Sequence, residues 1–294
     1  MAAAEVAPLI VIGGPTASGK TALAIRLAKK YNGEIICADS RTIYKGMDIG
    51  TAKPTLAERQ IVPHWGLDLV GPGQVFSAAQ FKAYAQQKIK EIRQRGKVPF
   101  LVGGTGLYLD AVVFDFQFGA ASDSVQRERL MAMSADELIE YCYNHNIKLP
   151  QNTRNKRYVV RAIERCGSNI SRQLTPDKTT IVVGIATDKQ ALRQRITVRA
   201  QQLFASGMIE EAIALAAQYG WESEAMTGNI YPLVRQYIRG KINNDELVRQ
   251  FIVSDWRLAK RQMTWLRRNP YVMWVDLGGA EHYLSQILAD YHSL

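Results

Sequence analysis

Eight residues near the N-terminus carry the clearest chemistry. Gly14, Pro15, Thr16, Ala17, Ser18, Gly19, Lys20 and Thr21 fit G-x-x-x-x-G-K-[ST]. Glycines at those positions let backbone N–H groups turn inward around phosphate oxygens. The helix that follows adds its N-terminal partial charge, the lysine reaches between phosphates, and the last hydroxyl is the usual Mg²⁺ ligand. The segment sits between the apolar run Leu9–Gly13 and the helical run Ala22–Lys30, the strand–loop–helix context this chemistry needs. It specifies a diphosphate or triphosphate, with Mg²⁺ on Thr21, and names no reaction. No N/T-K-x-D guanine reader occurs, which argues against a GTPase. A small-molecule kinase stays open.

A second candidate group is Ala38-Asp39-Ser40-Arg41-Thr42-Ile43-Tyr44, followed by Asp48-Ile49-Gly50-Thr51-Ala52-Lys53-Pro54. A carboxylate at the C-terminal end of a strand next to the P-loop strand points into the crevice where open α/β sheets bind ligands. Asp39 therefore reads as a metal ligand, a general base, or the acceptor of an Asx turn. A third group is Val102-Gly103-Gly104-Thr105-Gly106-Leu107-Tyr108. Its glycines make another strand-to-helix turn, able to bring the Thr105 hydroxyl and backbone N–H groups against a ligand.

These groups need elements to hold them. Short apolar runs at Leu9–Gly13, Glu34–Ala38, Val98–Val102 and Thr180–Ala186 predict strands buried on both faces. Helical stretches follow at 19–31, 77–95, 105–112 and 188–206. The alternation predicts an α/β fold, a P-loop NTPase-like core with a parallel sheet flanked by helices. The region 119–150 breaks the pattern and predicts a small helical insertion, with helices at Arg127–Met133 and Ala135–Asn144. From about 188 to 268 the chain reads as helical, interrupted once at 220–232.

Composition narrows the partners. The chain of 294 residues carries 37 Lys+Arg and 27 Asp+Glu, a net charge of +10. Residues 1–149 hold 17 basic and 14 acidic side chains, and residues 150–294 hold 20 and 13, so the surplus lies in the second half. A polyanion footprint or a set of solvated helix faces both fit that asymmetry. No apolar run approaches the ~18 residues of a membrane span, and MAAAEVAPLI lacks the basic and hydrophobic regions of a signal peptide. Cys37, Cys142 and Cys166 are scattered and form no CxxC. That pattern argues against a disulfide framework or a zinc site and predicts a cytoplasmic protein.

The motifs GPTASGKT, ADSRTIYKGMDIGTAKP, VPHW, FSAAQF, VGGTGLY and LAKRQMTWLRRN occur in the order seen in tRNA dimethylallyltransferases (tRNA isopentenyltransferases). The chain resembles that family from Leu9 to about Asp276. The resemblance implies a catalytic core at 1–118 and 171–294 and an inserted tRNA-contacting domain at 119–170. It implies transfer of a dimethylallyl group from dimethylallyl diphosphate to N6 of the adenosine 3′-adjacent to the anticodon in tRNA. Asp39 is then the general base, and Thr105 stands near the reacting centre. Gly14–Thr21 with Arg195 and Arg199 hold the diphosphate, and Mg²⁺ assists through Thr21. Asp39, Ser40, Arg41, Thr42 and Thr105 contact the flipped base. Arg157, Arg161 and Arg165, four apart, form one stripe for RNA phosphates, and Arg257, Lys260 and Arg261 begin a second that runs on to Arg267 and Arg268. Trp256 and Trp265, interleaved with the second stripe, read better as helix core.

The chain departs from the family pattern in places. Thr42 stands where D-S-x-Q has glutamine, Trp65 replaces the second histidine of P-H-H, and Asn152-Thr-Arg-Asn155 stands near the missing H-P-N-D. These changes bear on base context and leave the diphosphate machinery intact. His64 is expected to have a structural role beside Asp68. An adenylate isopentenyltransferase would not need the two basic stripes, and a nonenzymatic RNA-binding protein would leave Asp39 and Thr105 without a role. A monomer is expected, because the tRNA supplies the partner surface.

Overall fold

The computed structural model describes residues 6–119, 123–165, 171–228 and 230–292. Residue Cys166 lies outside them. The chain divides into two compact units, one formed by residues 1–114 and 175–294, the other by 115–174. These boundaries fall four residues outside the expected insertion at each end.

The larger unit begins with β1 (Leu9–Gly13), α1 (Lys20–Lys30) and β2 (Gly33–Ala38). The short elements α2 (Leu56–Ile61) and β3 (His64–Trp65) follow, then α3 (Ala78–Gln94), β4 (Val98–Gly103) and α4 (Gly106–Val113). Every residue of β1, β2 and β4 is buried. Continuous apolar runs of this kind belong to strands covered on both faces. The six-stranded sheet has the order β3-β2-β4-β1-β5-β6, and every pairing is parallel. The expected neighbourhood of Asp39 is therefore corrected: β4 lies between β1 and β2. Strand order is set by long-range pairing, which no local pattern reports.

The smaller unit holds α5 (Ser124–Ala132), α6 (Ala135–Asn144) and α7 (Lys156–Arg165). Ser134 and Glu137 close a capping box at the start of α6, satisfying backbone donors that helix ends leave open. Leu130, Leu138, Cys142, Val159, Val160 and Ile163 make this unit's own core.

The chain then re-enters the larger unit through β5 (Thr180–Ile185), α8 (Lys189–Ala205), α9 (Met208–Tyr219), α10 (Tyr231–Ile238), α11 (Asn244–Leu266), β6 (Met273–Val275) and α12 (Leu277–His292). The helical region breaks more often than expected. α8 stops at Ala205 with Ser206 as its C-cap, Gly207 caps α9 at φ 94°, and residues 239–243 separate α10 from α11. One core packs β1, β2, β4 and β5 against α1 and α12; another gathers the 43–49 loop with α8–α11.

Several motif residues prove to be structural. Ser77 and Gln80 of FSAAQF form the capping box of α3, and Phe81 stacks on Tyr108 with centroids 4.1 Å apart. Trp65 donates to Glu34 Oε2 at 2.7 Å. His64 Nδ1 lies 2.7 Å from the Val62 carbonyl, whereas Asp68 pairs with Lys53 and Arg59. The expected role of His64 beside Asp68 is thus replaced by a bond to its own loop.

Candidate active site

The P-loop links β1 to α1. Gly19, at φ 88°, is the N-cap of α1 and makes no side-chain cap bond, so the first N–H groups of the helix stay available for an anion. Lys20 donates to the Pro15 carbonyl at 3.1 Å. Burial lowers its pKa from 10.5 to about 8, while the Asp39 and Asp255 carboxylates pull it back up. The residue keeps partial exposure to the site although its ammonium is enclosed. The Ser18 hydroxyl is buried without a partner, and Thr21 lines the cavity described below.

Two helices complete the cradle. On α8, Arg195 donates to the Ser18 carbonyl at 3.2 Å. Arg199 donates to the Thr16 hydroxyl and, at 3.0 Å, to Asp255 Oδ2. The spacing of four residues places both guanidiniums on the P-loop side, so they are not merely solvated charge. On α11, buried Asp255 holds Arg199, and Gln262 Oε1 accepts from Thr16 N–H at 2.8 Å. Sequence reasoning missed Asp255 and Gln262. They lie far along the chain from the residues they hold; Gln262 stands within LAKRQMTWLRRN, read for its basic residues alone, and Asp255 belongs to no recognisable spacing.

Asp39 leaves the end of β2. Its Oδ1 accepts from Arg41 N–H at 2.8 Å, so the carboxylate closes an Asx turn and is oriented by it. The Thr105 hydroxyl accepts from Ser40 N–H at 3.1 Å, and Thr105 N–H donates to the Ala38 carbonyl at 3.2 Å. The backbone of the second glycine turn is therefore spent partly on joining β4 to β2. Gly106 is needed for another reason: a Cβ there would run into the Trp265 indole. Trp265 donates to Asp110 Oδ2 at 2.6 Å, and Trp256 packs with Leu192, Ile196 and Ala259, as the core reading expects.

A cavity of about 550 Å³ opens between these elements. Thr16–Thr21, Asp39–Thr42, Thr105, Arg199 and Arg261 all line it. Arg41 lines it too, but its guanidinium donates to the Glu224 carbonyl at 3.2 Å and the Thr227 hydroxyl at 3.5 Å. Thr42 is buried, and its hydroxyl donates to the Asp39 carbonyl at 3.4 Å. Both side chains are thus engaged by the protein. Cys37 lies in the floor, where burial and then Asp39 push its thiol up to about 12, so it is no nucleophile at neutral pH.

The basic residues divide. Arg257, Lys260, Arg261, Arg267 and Arg268 are exposed along and just after α11. In the smaller unit Arg157 is exposed, Arg161 and Arg165 are half-buried, and Arg161 pairs with Glu164 at 3.0 Å.

A family model for IPP transferases matches residues 42–269. The chain is 40% identical to a tRNA dimethylallyltransferase of Carboxydothermus hydrogenoformans, over 92% of each chain. The chain belongs to the IPP transferase family. It is also 36% identical to the tRNA dimethylallyltransferase of Bacillus anthracis, over 92% of this chain and 91% of that one. A solved tRNA isopentenylpyrophosphate transferase of Bacillus halodurans shares 32% identity and a TM-score of 0.74, covering 97% of this chain and 98% of its own. For this IPP transferase the donor set suits a hard cation. No cluster of three His, Cys, Asp or Glu occurs among the described residues. The Thr21 hydroxyl beside a phosphate cradle fits Mg²⁺, which keeps waters and binds mainly through phosphate oxygens. No described helix of this family member is long and apolar enough to cross a membrane.

Proposed function

We propose that this IPP transferase moves the dimethylallyl group of dimethylallyl diphosphate to N6 of the adenosine 3′-adjacent to the anticodon in tRNA. The products are N6-isopentenyladenosine and diphosphate. One observation carries the reading: a carboxylate, a hydroxyl and a phosphate cradle share a single cavity. The P-loop, Lys20, Arg195 and Arg199 bind and orient the diphosphate. As the C1–O bond breaks, their positive charge meets the charge growing on the leaving oxygens. N6 attacks C1, and Asp39 takes the N6 proton, which an exocyclic aromatic amine yields poorly without a base. The Thr105 hydroxyl holds the Asp39–Ser40 backbone in place and stands near the reacting centre. When bound through Thr21, Mg²⁺ adds charge neutralisation on the diphosphate. A base inside folded RNA must leave its stack to reach such a cavity.

The exposed cations of α11 and the arginines of α7 support tRNA over a free nucleotide as acceptor. Charge reversal at Arg157 and Arg161 is expected to weaken tRNA binding. The slope of log K against log salt should shrink by about 1 for each phosphate the protein no longer neutralises. Filter binding at several salt concentrations measures this, and an unchanged slope removes α7 from the interface. The buried, unbridged Cys37 and Cys142 support a reducing, cytoplasmic setting. The enzyme acts there as a monomer, with the RNA as its partner surface.

The lowered pKa of Lys20 has a signed consequence. Bound anion favours the charged amine, so binding above pH 8 must take up a proton. Affinity for inorganic diphosphate, titrated calorimetrically without Mg²⁺, is expected to weaken about tenfold per pH unit above about 8. Diphosphate loses its own last proton in this range, so Lys20→Met is the reference, and a wild-type profile identical to that variant's excludes Lys20 as the cation in contact. The transfer itself is tested by digesting tRNA after reaction and locating the modified nucleoside. Isopentenyladenosine next to the anticodon supports the reading, and modification elsewhere or none overturns it.

A further inference from the structure

The segment Asp48–Pro54 has no part in the chemistry derived above, yet Gly50, Thr51, Ala52 and Pro54 line the cavity. Its shape is held by one carboxylate. Glu211, in the first turn of α9, accepts from three consecutive N–H groups: Asp48 at 2.9 Å, Ile49 at 2.6 Å and Gly50 at 2.9 Å. A row of N–H groups converging on one point is an anion nest, and here the anion is the protein's own. The fourth donor is Tyr231, whose hydroxyl lies 2.9 Å from Glu211 Oε1. Tyr231 is almost fully buried, and burial holds its phenol protonated as a donor. It also lines the cavity. The packing is close, since a Cβ on Gly50 would lie 2.6 Å from the Tyr231 hydroxyl. From the other side, Lys53 ties the same segment to the Tyr44 carbonyl, Asp48 and Asp68.

We propose that Glu211 is a positioning residue for the transfer, setting the wall of Gly50–Ala52 and Tyr231 that bounds the part of the cavity beyond the diphosphate cradle, where the acceptor base meets the transferred group. The proposal rests on the transferase reading above. It assigns the wall to the acceptor and the transferred group, not to the diphosphate, because the cradle is complete without it: its contacts run among the P-loop, α8 and α11. Glutamine at 211 keeps the shape but leaves one oxygen to accept where two now share four donors. Small misplacements of this kind cost rate, about 100-fold for 1 Å.

The experiment uses the full chain with Glu211→Gln, Glu211→Ala and Tyr231→Phe. It measures kcat and KM for tRNA, the Kd for inorganic diphosphate, and the thermal midpoint. In Glu211→Gln, kcat/KM for tRNA is expected to fall about tenfold, and in Glu211→Ala about 100-fold. Tyr231→Phe should fall in the same direction by less. Diphosphate Kd should stay within about twofold of wild type in each, which a general loss of fold would not allow. If Glu211→Ala does not fold, the other two variants decide. A folded variant with tRNA kinetics within about threefold of wild type overturns the proposal, as does a parallel loss of diphosphate affinity. Failure of the wild type to transfer to tRNA overturns the transferase reading, and this proposal with it. Normal wild-type transfer with unaffected variants overturns this proposal alone.

Discussion

Replacing Asp39 with asparagine is expected to lower the transfer rate by 10²–10⁴-fold, about the contribution of a positioned general base. The substitution isolates basicity. Oδ1 of Asp39 accepts from Arg41 N–H, and an asparagine oxygen accepts the same bond, so the Asx turn survives. The bonds from Ser40 N–H to Thr105 and from Thr105 N–H to Ala38 involve no carboxylate and survive too. What disappears is the site for the N6 proton. Affinity for tRNA should therefore change little while kcat collapses. Single-turnover transfer with saturating substrates measures the chemical step. An Asp39→Asn enzyme with wild-type kcat would remove Asp39 as the base.

The second large effect is at Lys20. Lys20→Ala is expected to lower kcat/KM by about 10²–10³-fold, the usual effect of losing one preorganised donor to a developing anion. Here the loss appears in diphosphate affinity as well, because the ammonium sits within the cradle before the bond breaks. Stability should move the other way. The folded pKa of about 8 lies below the ordinary 10.5, so the charged, buried amine costs stability. That cost is present in full below pH 8 and is relieved as pH rises towards 10.5. Lys20→Met should therefore raise the thermal midpoint at pH 7, and the gain should vanish above pH 10. An inactive variant of higher stability separates function from folding, whereas an active Lys20→Ala enzyme contradicts the role of the P-loop.

What could be read from the chain depended on how local each constraint is. The P-loop was legible because glycine conformation, a helix N-terminus and one lysine lie within eight consecutive residues. The strands β1, β2, β4 and β5 were legible because burial on both faces writes an apolar run. The strands β3 and β6 span two and three residues and leave no such run. The place of β4 between β1 and β2 is a matter of pairing partners. Arg41 read as a contact to the flipped base through the family resemblance, and the sequence around it says nothing of its partners within the protein. Its bonds to Glu224 and Thr227 come from a segment more than 180 residues away. Asp255, Gln262 and Glu211 were invisible for the same reason. Each satisfies a donor elsewhere in the fold; Gln262 stands in LAKRQMTWLRRN, where only the basic residues were read, and nothing near Asp255 or Glu211 announces them. The charge asymmetry was legible in sum, though not in detail: Arg161 is paired with Glu164, while Arg257 and Lys260 stand exposed on α11.

Transfer is measured by offering the purified protein dimethylallyl diphosphate labelled in its dimethylallyl group, with tRNA, with AMP, or with no acceptor. Label is expected in tRNA, none in AMP, with one diphosphate released for each group transferred. Label in AMP and not in tRNA, or ATP turnover with label in neither, would contradict the proposed transfer.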